Sequence, residues 1–183
     1  MSQIIETTRL VLKPRTINEF QHCLNMDLDP AVSKYIPGKS DGSADHIKFL
    51  ENRITTIYLQ GLGYWSVFKN NGTSEFIGWI HLLPAKENKI TAEIGWRLKR
   101  SAWGCGYAME AATAILTYAF GELNIKKVVA YTHVDNVRSK KLMTRLGMRF
   151  VNDFMYEGNV KTSYYEISST LYTTYEKNDR ILS

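Results

Sequence analysis

The residues best suited to chemistry lie between Glu93 and Ala108. Glu93-Ile94-Gly95-Trp96-Arg97-Leu98 reads as a strand, Trp103-Gly104-Cys105-Gly106-Tyr107-Ala108 as a glycine-containing turn, and a helix follows. The first N–H groups of a helix have no intrahelical partners, and with the positive end of the helix dipole they suit a phosphate. Glycine matters in such a turn because a Cβ would keep the anion away from the backbone. The same residues would equally make a tight turn that binds nothing, and local pattern leaves the two readings level.

Familiar phosphate motifs narrow the choice. There is no G-x-x-x-x-G-K-[ST], and Gly104-x-Gly106-x-x-Met109 lacks the third small residue of a dinucleotide fingerprint. Gly95 inside the strand hints at a bulge or a close backbone approach. A strand with unpaired amides accepts an extended ligand as a pseudo-strand. With a phosphate site at its end, the ligand is part peptide-like and part nucleotide, as coenzyme A is.

These residues carry a resemblance. Trp103 to Ala108 is similar to the Q/R-x-x-G-x-G/A signature of the GNAT acetyltransferase superfamily, with Trp103 where that pattern has Gln or Arg. Thr8-Arg9-Leu10-Val11-Leu12, Ala92 to Trp96, Val134-Asp135-Asn136-x-x-Ser139, Leu146-Gly147-Met148 and Glu110-Ala111 resemble its RimJ/RimL-like branch. Members of that branch acetylate N-terminal amines of ribosomal proteins. The resemblance spans almost the whole chain and is densest over residues 91–150.

The resemblance implies acetyl-CoA as cofactor and an N-acetyltransferase acting on a primary amine, a protein N-terminus or a small molecule, by direct attack. By position, the backbone of Trp96 and Leu98 would pair with pantetheine. Amides of Trp103, Gly104, Cys105, Gly106, Tyr107 and Ala108 would hold the pyrophosphate, Asn136 would contact the cofactor, and Ser139 would lie near the thiol end and could protonate the leaving thiolate. A homodimer is common in the branch. A non-catalytic acyl-CoA-binding or sensor module on the same fold is the alternative, and the last helix supports it: Met143 stands where many relatives carry an acidic Tyr. The Gly158 to Tyr165 stretch resembles the branch's Gly-x-x-x-Asp turn but lacks the Asp.

Acetyl transfer to an amine needs a base for the amine proton and a donor for the developing oxyanion, which a backbone N–H on the splayed strand would supply. Glu93 is the first candidate base, facing opposite to Ile94 and Trp96; it reads as readily as a solvated or ion-paired strand carboxylate. His81, between Ile80 and Leu82, is the second, against a structural role. Ser139 reads as an acid or as a partner for a backbone group. Cys105 reads as a turn residue. Arg138, Lys140, Lys141 and Arg145 crowd one helix, as a solvated basic face or, for one or two of them, as partners of the cofactor's 3′-phosphate.

Several elements must position these groups. Arg9 to Leu12 is strand-like, and Thr16-x-x-Glu19 has capping-box form ahead of a helix that Asp29-Pro30 interrupts. A second apolar stripe runs from Asp45 to Gln60, with Gly61 as its stop. Strands at 64–69 and 75–83 flank the turn Asn70 to Ser74, and a polar loop over 84–89 leads to the strand at 91–98. Helices over 106–120 and 136–146 alternate with strands near 127–132, 149–153 and 164–172. The pattern is α+β (mixed α/β). The resemblance implies a central, mostly antiparallel twisted sheet of about six or seven strands flanked by helices, in a single domain over 1–183.

The composition agrees. The chain has 183 residues, 44% hydrophobic and 22% charged, an ordinary globular balance that excludes intrinsic disorder. No apolar run approaches a membrane span, no secretion signal opens the chain, and Cys23 and Cys105 have no metal-ligand spacing, so a cytoplasmic location without metal or membrane is expected. The net charge of +5 comes without a Lys/Arg stripe interleaved with aromatics, so direct nucleic-acid binding is not expected.

Overall fold

The computed structural model describes residues 3–38, 40–59, 61–85, 90–156 and 158–174. Its strands are β1 (Ile5–Glu6), β2 (Leu10–Pro14), β3 (Gly63–Lys69), β4 (Phe76–Pro84), β5 (Thr91–Leu98), β6 (Lys127–His133), β7 (Arg149–Tyr156) and β8 (Val160–Ser168). The helices that position the site are α1 (Phe20–Asp27), α2 (Pro30–Ser33), α3 (Ala44–Thr55), α4 (Tyr107–Gly121) and α5 (Val137–Arg145). One sheet holds all eight strands in the order β1-β2-β3-β4-β5-β6-β8-β7. The strand beyond the expected six or seven is β1, two residues paired to β2 through Ile5–Leu12 and Glu6–Val11.

Every neighbouring pair is antiparallel except β5 and β6. Parallel neighbours need a crossover, and α4 supplies it. Side chains alternate across the sheet, which gives it two apolar faces. Leu12, Trp65, Ile80, Leu82 and Ile94 pack with Ala112, Ile115, Leu116 and Ala119 of α4. On the other face Tyr64, Phe76 and Trp79 pack with Cys23 and Met26 of α1 and Leu50 and Ile54 of α3.

Local signals and structure agree where short-range chemistry fixes them. Thr16 and Glu19 form the capping box, Asp29 caps α2 by accepting from the Ala31 N–H at 2.9 Å, and Asn136 caps α5. Some boundaries differ, and β7 runs on from the expected 153 to Tyr156. The helix expected to reach Gly61 ends at Thr55, because the Thr55 and Thr56 hydroxyls turn back onto the Glu51 and Asn52 carbonyls and Thr56 is extended. The last strand begins at Val160 and stops at Ser168, followed by helical residues 169–174. Within the polar loop expected over 84–89, residues 86–89 lie outside the described residues, as does Gln60 at the expected helix end.

Candidate active site

β5 and β6 pair only through Thr91–Lys127, Ala92–Val128 and Glu93–Val129. Both strands run on, β5 to Leu98 and β6 to His133. They therefore diverge into a V with its apex at Glu93. The other edge of β5 stays paired to β4 as far as Leu98. The Lys99 N–H donates to the Ile77 carbonyl at 2.8 Å. Backbone polar groups alternate sides along a strand, so those of Glu93, Gly95 and Arg97 turn to β4 and those of Ile94, Trp96 and Leu98 turn away from it; the Glu93–Val129 pairing takes the Ile94 N–H, and the groups of Trp96 and Leu98 open into the V. The Leu98 carbonyl already accepts from the Trp103 indole N–H at 2.9 Å, so its N–H is the group left for a ligand.

At the mouth of this wall lies the glycine turn. Gly104 and Gly106 have φ of +76° and +79°, the left-handed region that glycine tolerates best. Gly106 is the N-cap of α4, and no side chain caps that helix. A Cβ built on Gly104 would meet nothing within 4 Å. The turn is thus open at Gly104 and the first N–H groups of α4 have no side-chain cap, the arrangement a phosphate needs.

Arg9 braces this turn. Its Nε donates to a Glu110 carboxylate oxygen at 2.7 Å, Nη1 to the Cys105 carbonyl at 3.0 Å, and its guanidinium lies 4.9 Å from the Tyr107 ring centre. Glu110 also accepts from the Thr7 hydroxyl at 2.7 Å and the Arg9 N–H at 2.8 Å. Burial raises the Glu110 carboxyl, but these hydrogen bonds outweigh it and hold the group below the ordinary carboxylate range.

Asn136 and Ser139 open α5 on the opposite wall, beyond the end of β6. The Asn136 Oδ1 accepts from the Ser139 N–H at 3.2 Å, so its amide nitrogen is the end left to reach a cofactor. The Ser139 hydroxyl makes no hydrogen bond among the described residues. Arg138 stacks over the Trp103 ring at 4.5 Å, linking α5 to the glycine turn, and Lys140 Nζ donates to the Val134 carbonyl at 3.1 Å. Arg138 and Lys140 are thus engaged within the fold.

The two candidate bases meet at the apex. His81 Nε2 lies 3.6 Å from Glu93 Oε1, in ion-pair range but longer than a hydrogen bond. His81 is only 6% exposed, stacked on Trp79 and edge-on to Tyr64. Burial pushes its imidazole below the usual histidine value, against the pull of Glu93. Gly95, where a bulge or a close backbone approach is expected, pairs in regular register with His81 and makes no bulge. Its missing side chain serves another purpose: a Cβ there would lie 2.7 Å from the imidazole Cε1 and Nε2. Met143 is buried in the core, and the exposed Cys105 thiol points at the Trp103 carbonyl, 3.5 Å away.

Sequence reasoning missed the roles of Arg9, Glu110 and Trp103, and a buried trio under α1 and α3. Arg97 Nη1 bonds Asp27 Oδ1, whose other oxygen lies 3.5 Å from His46 Nε2. The Gly42 N–H donates to His46 Nδ1 at 3.1 Å, so Nε2 carries the proton that faces Asp27. The partners are 70 residues apart in sequence for Asp27 and Arg97, and no local pattern joins them.

A family model described as the Acetyltransferase (GNAT) domain matches residues 9–149. The chain belongs to this GNAT acetyltransferase family. A curated relative, the FsC-acetyl coenzyme A-N(2)-transacetylase of Aspergillus fumigatus, is 31% identical over 161 residues, 82% of this chain and 66% of that protein. The matched part thus spans just under two thirds of that relative's length. A GNAT-family acetyltransferase structure from Bacillus anthracis superposes with a TM-score of 0.75 at 25% identity, covering 92% of this chain and 99% of that one. The fold also matches a Vibrio cholerae spermidine N-acetyltransferase solved with CoA and spermine, with a TM-score of 0.74 at 19% identity over 91% of this chain and 99% of that one. GNAT acetyltransferases use acetyl-CoA, and the V with its uncapped glycine turn fits that cofactor.

Proposed function

We propose that this GNAT domain is an acetyl-CoA-dependent N-acetyltransferase that acts on a primary amine by direct attack. The observation that carries the reading is the V between β5 and β6, which runs from an uncapped phosphate-type turn to a carboxylate and an imidazole at its apex. From Leu98 to Ile94 the strand rises about 13 Å, length enough for an extended arm to lie along it.

Each residue then has a part. Backbone N–H groups of Trp103 to Ala108 hold the pyrophosphate, and backbone groups of Trp96 with the Leu98 N–H hold the pantetheine. The Asn136 amide nitrogen and the Ser139 hydroxyl approach from the other wall. Acetyl-CoA supplies a thioester whose acetyl carbon the amine attacks. A backbone N–H on the splayed part of β5, beyond Ile94, steadies the developing oxyanion. Glu93 takes the amine proton, directly or through His81 or water, and the leaving thiolate takes a proton through the Ser139 hydroxyl, which water reprotonates.

Thr8 to Leu12, Ala92 to Trp96, Val134 to Ser139 and Leu146 to Met148 support the RimJ/RimL-like branch within the family. Both thiols are free, Cys23 buried and Cys105 exposed, which supports a cytoplasmic setting.

Calorimetric titration with acetyl-CoA, with ATP and NAD as controls, followed by thiol release in the presence of an amine panel, tests the reading. Binding of acetyl-CoA alone and amine-dependent thiol release are expected. Binding without release on any amine would leave a cofactor-binding module, and absence of binding would remove the glycine turn from its role.

A further inference from the structure

Buried side-chain polar atoms without a partner among the described residues gather on one face of the sheet. They are Arg15 Nε, Tyr64 Oη, Ser66 Oγ, both nitrogens of His81, and Arg97 Nε. Residues opposite each other in an antiparallel pair share a face, and the register aligns Tyr64 with His81, His81 with Gly95, and Ser66 with Trp79 and Arg97 with Trp79. Arg15 joins them, its N–H donating to the Tyr64 carbonyl at 2.9 Å. Glu93 lies two residues from Gly95 on that same face. A polar row thus crosses β2 to β5 beneath α1 and α3, ending at the apex of the V. Buried polar groups are nearly always satisfied, and apart from Glu93 beside His81 Nε2 the described residues offer this row no partner, which points to a ligand along it.

Charge along the row is uneven. Asp27 neutralises Arg97. Arg15 and Arg53 form no ion pair with a carboxylate among the described residues. The Arg15 guanidinium lies 3.8 Å from the Tyr64 ring centre and that of Arg53 5.5 Å from it. Arg15 Nη2 also donates to the Arg53 backbone carbonyl at 3.1 Å, so both guanidinium groups lie around the same Tyr64 ring. Burial lowers the Arg15 guanidinium from its ordinary value, and Arg53 beside it adds to the effect. Two adjacent, partly desolvated cations at one end of the row and one carboxylate, Glu93, at the other make a bipolar surface. Arg15 and Arg53 are half-buried and Glu93 has 36% of its side chain exposed, so solvent reaches both ends.

Resting on the acetyltransferase reading above, we infer that the acceptor is an amine carrying an anionic group at its far end, a carboxylate or phosphate held by Arg15 and Arg53 while the amine sits at Glu93. The separation between the two ends is about two strand spacings, roughly 10 Å, since Arg15 lies over Tyr64 of β3. Guanidinium pairs recognise such oxygens through parallel N–H donors. A polyamine would bring a second cation to the arginines, and the row rejects it.

Two probes of matched length separate these cases: 6-aminohexanoate, with a carboxylate at its far end, and 1,5-diaminopentane, with a second ammonium. Thiol release from acetyl-CoA should give the amino acid a kcat/KM at least about tenfold higher than the diamine, the scale of a charge-assisted hydrogen bond. In Arg53→Gln that ratio should fall towards unity, mainly because the amino acid is bound more weakly and its KM rises. Arg15→Lys gives a second reading that keeps the charge but loses the fork. Equal or inverted preference overturns the anion subsite and leaves the acetyltransferase reading standing. Turnover of neither amine by protein that binds acetyl-CoA also overturns the subsite. Protein that fails to bind acetyl-CoA overturns the reading beneath it.

Discussion

Gly95 and His81 face each other across β4 and β5 at a distance that leaves no room for a methyl group: a Cβ on Gly95 would lie 2.7 Å from the imidazole Cε1 and Nε2. The imidazole cannot swing away freely, being stacked on Trp79 and edge-on to Tyr64. Gly95 is therefore what lets His81 lie flat beside Glu93 at the apex.

Gly95→Ala should displace that ring. The backbone of β5 accepts alanine, so the cost is overpacking, about 1–3 kcal/mol of stability. The kcat should drop while the acetyl-CoA Kd changes little, because the Gly95 backbone groups turn to β4 and not into the V. Steady-state kinetics beside calorimetry reads both; a wild-type kcat would remove the imidazole from the reaction.

Glu93→Gln should lower turnover by about 10²–10³-fold if the carboxylate takes the amine proton. Cofactor affinity should hold within a few fold. The pH–rate profile should change in this variant. An unchanged profile would assign the proton transfer elsewhere.

The depressed His81 value also links stability to pH. The folded protein keeps this ring neutral, while the unfolded chain protonates it near pH 6.5. The contribution is present above that pH and is lost as pH falls from there towards the lower folded value. Thermal unfolding across pH 5–8 should therefore fall more steeply for the wild type than for His81→Gln. Equal slopes would mean that the ring is solvated in the folded state.

What the sequence revealed and what it hid divide by range. The capping box at Thr16, the N-cap at Asn136 and the turn between β3 and β4 are local chemistry, and each is readable from a few neighbouring residues. The glycine turn is readable for the same reason. The arrangement of β6, β8 and β7 is not, since β8 enters between strands that precede it in the chain. Nor is the Asp27–Arg97–His46 trio, whose members meet only once the sheet has formed under α1 and α3. Gly95 signals a close approach, but the approaching group, a side chain from the neighbouring strand, needs the register to identify it.

Gly104→Ala tests the phosphate turn with the least disturbance. The new methyl meets no protein atom within 4 Å, so the fold pays only the left-handed backbone term of about 1–2 kcal/mol. The same methyl would stand in the space a pyrophosphate needs, and the acetyl-CoA Kd should rise by on the order of tenfold or more. A stable variant with unchanged affinity would mean that the anion sits elsewhere.

Glu110 holds that turn from behind. It fastens Thr7 and Arg9 to the first turn of α4, and the second arm of Arg9 reaches the Cys105 carbonyl. Glu110→Gln turns an acceptor-only group into one that also presents N–H donors to the donors of Thr7 and Arg9. With Arg9 half exposed the loss should be modest, about 1.5 kcal/mol at neutral pH. Because the folded carboxyl titrates below its ordinary value, its stabilisation is complete above about pH 4.3 and disappears as pH falls through the lower folded value. Wild type and variant should therefore converge in acid, by chemical unfolding at pH 7 and pH 3. If the clamp also sets the turn's shape, the variant binds acetyl-CoA several-fold more weakly at pH 7 while its kcat at saturation stays close to wild type. Lost stability with unchanged affinity would make Arg9 and Glu110 a brace for β2 against α4 and leave the turn to be shaped by its two glycines.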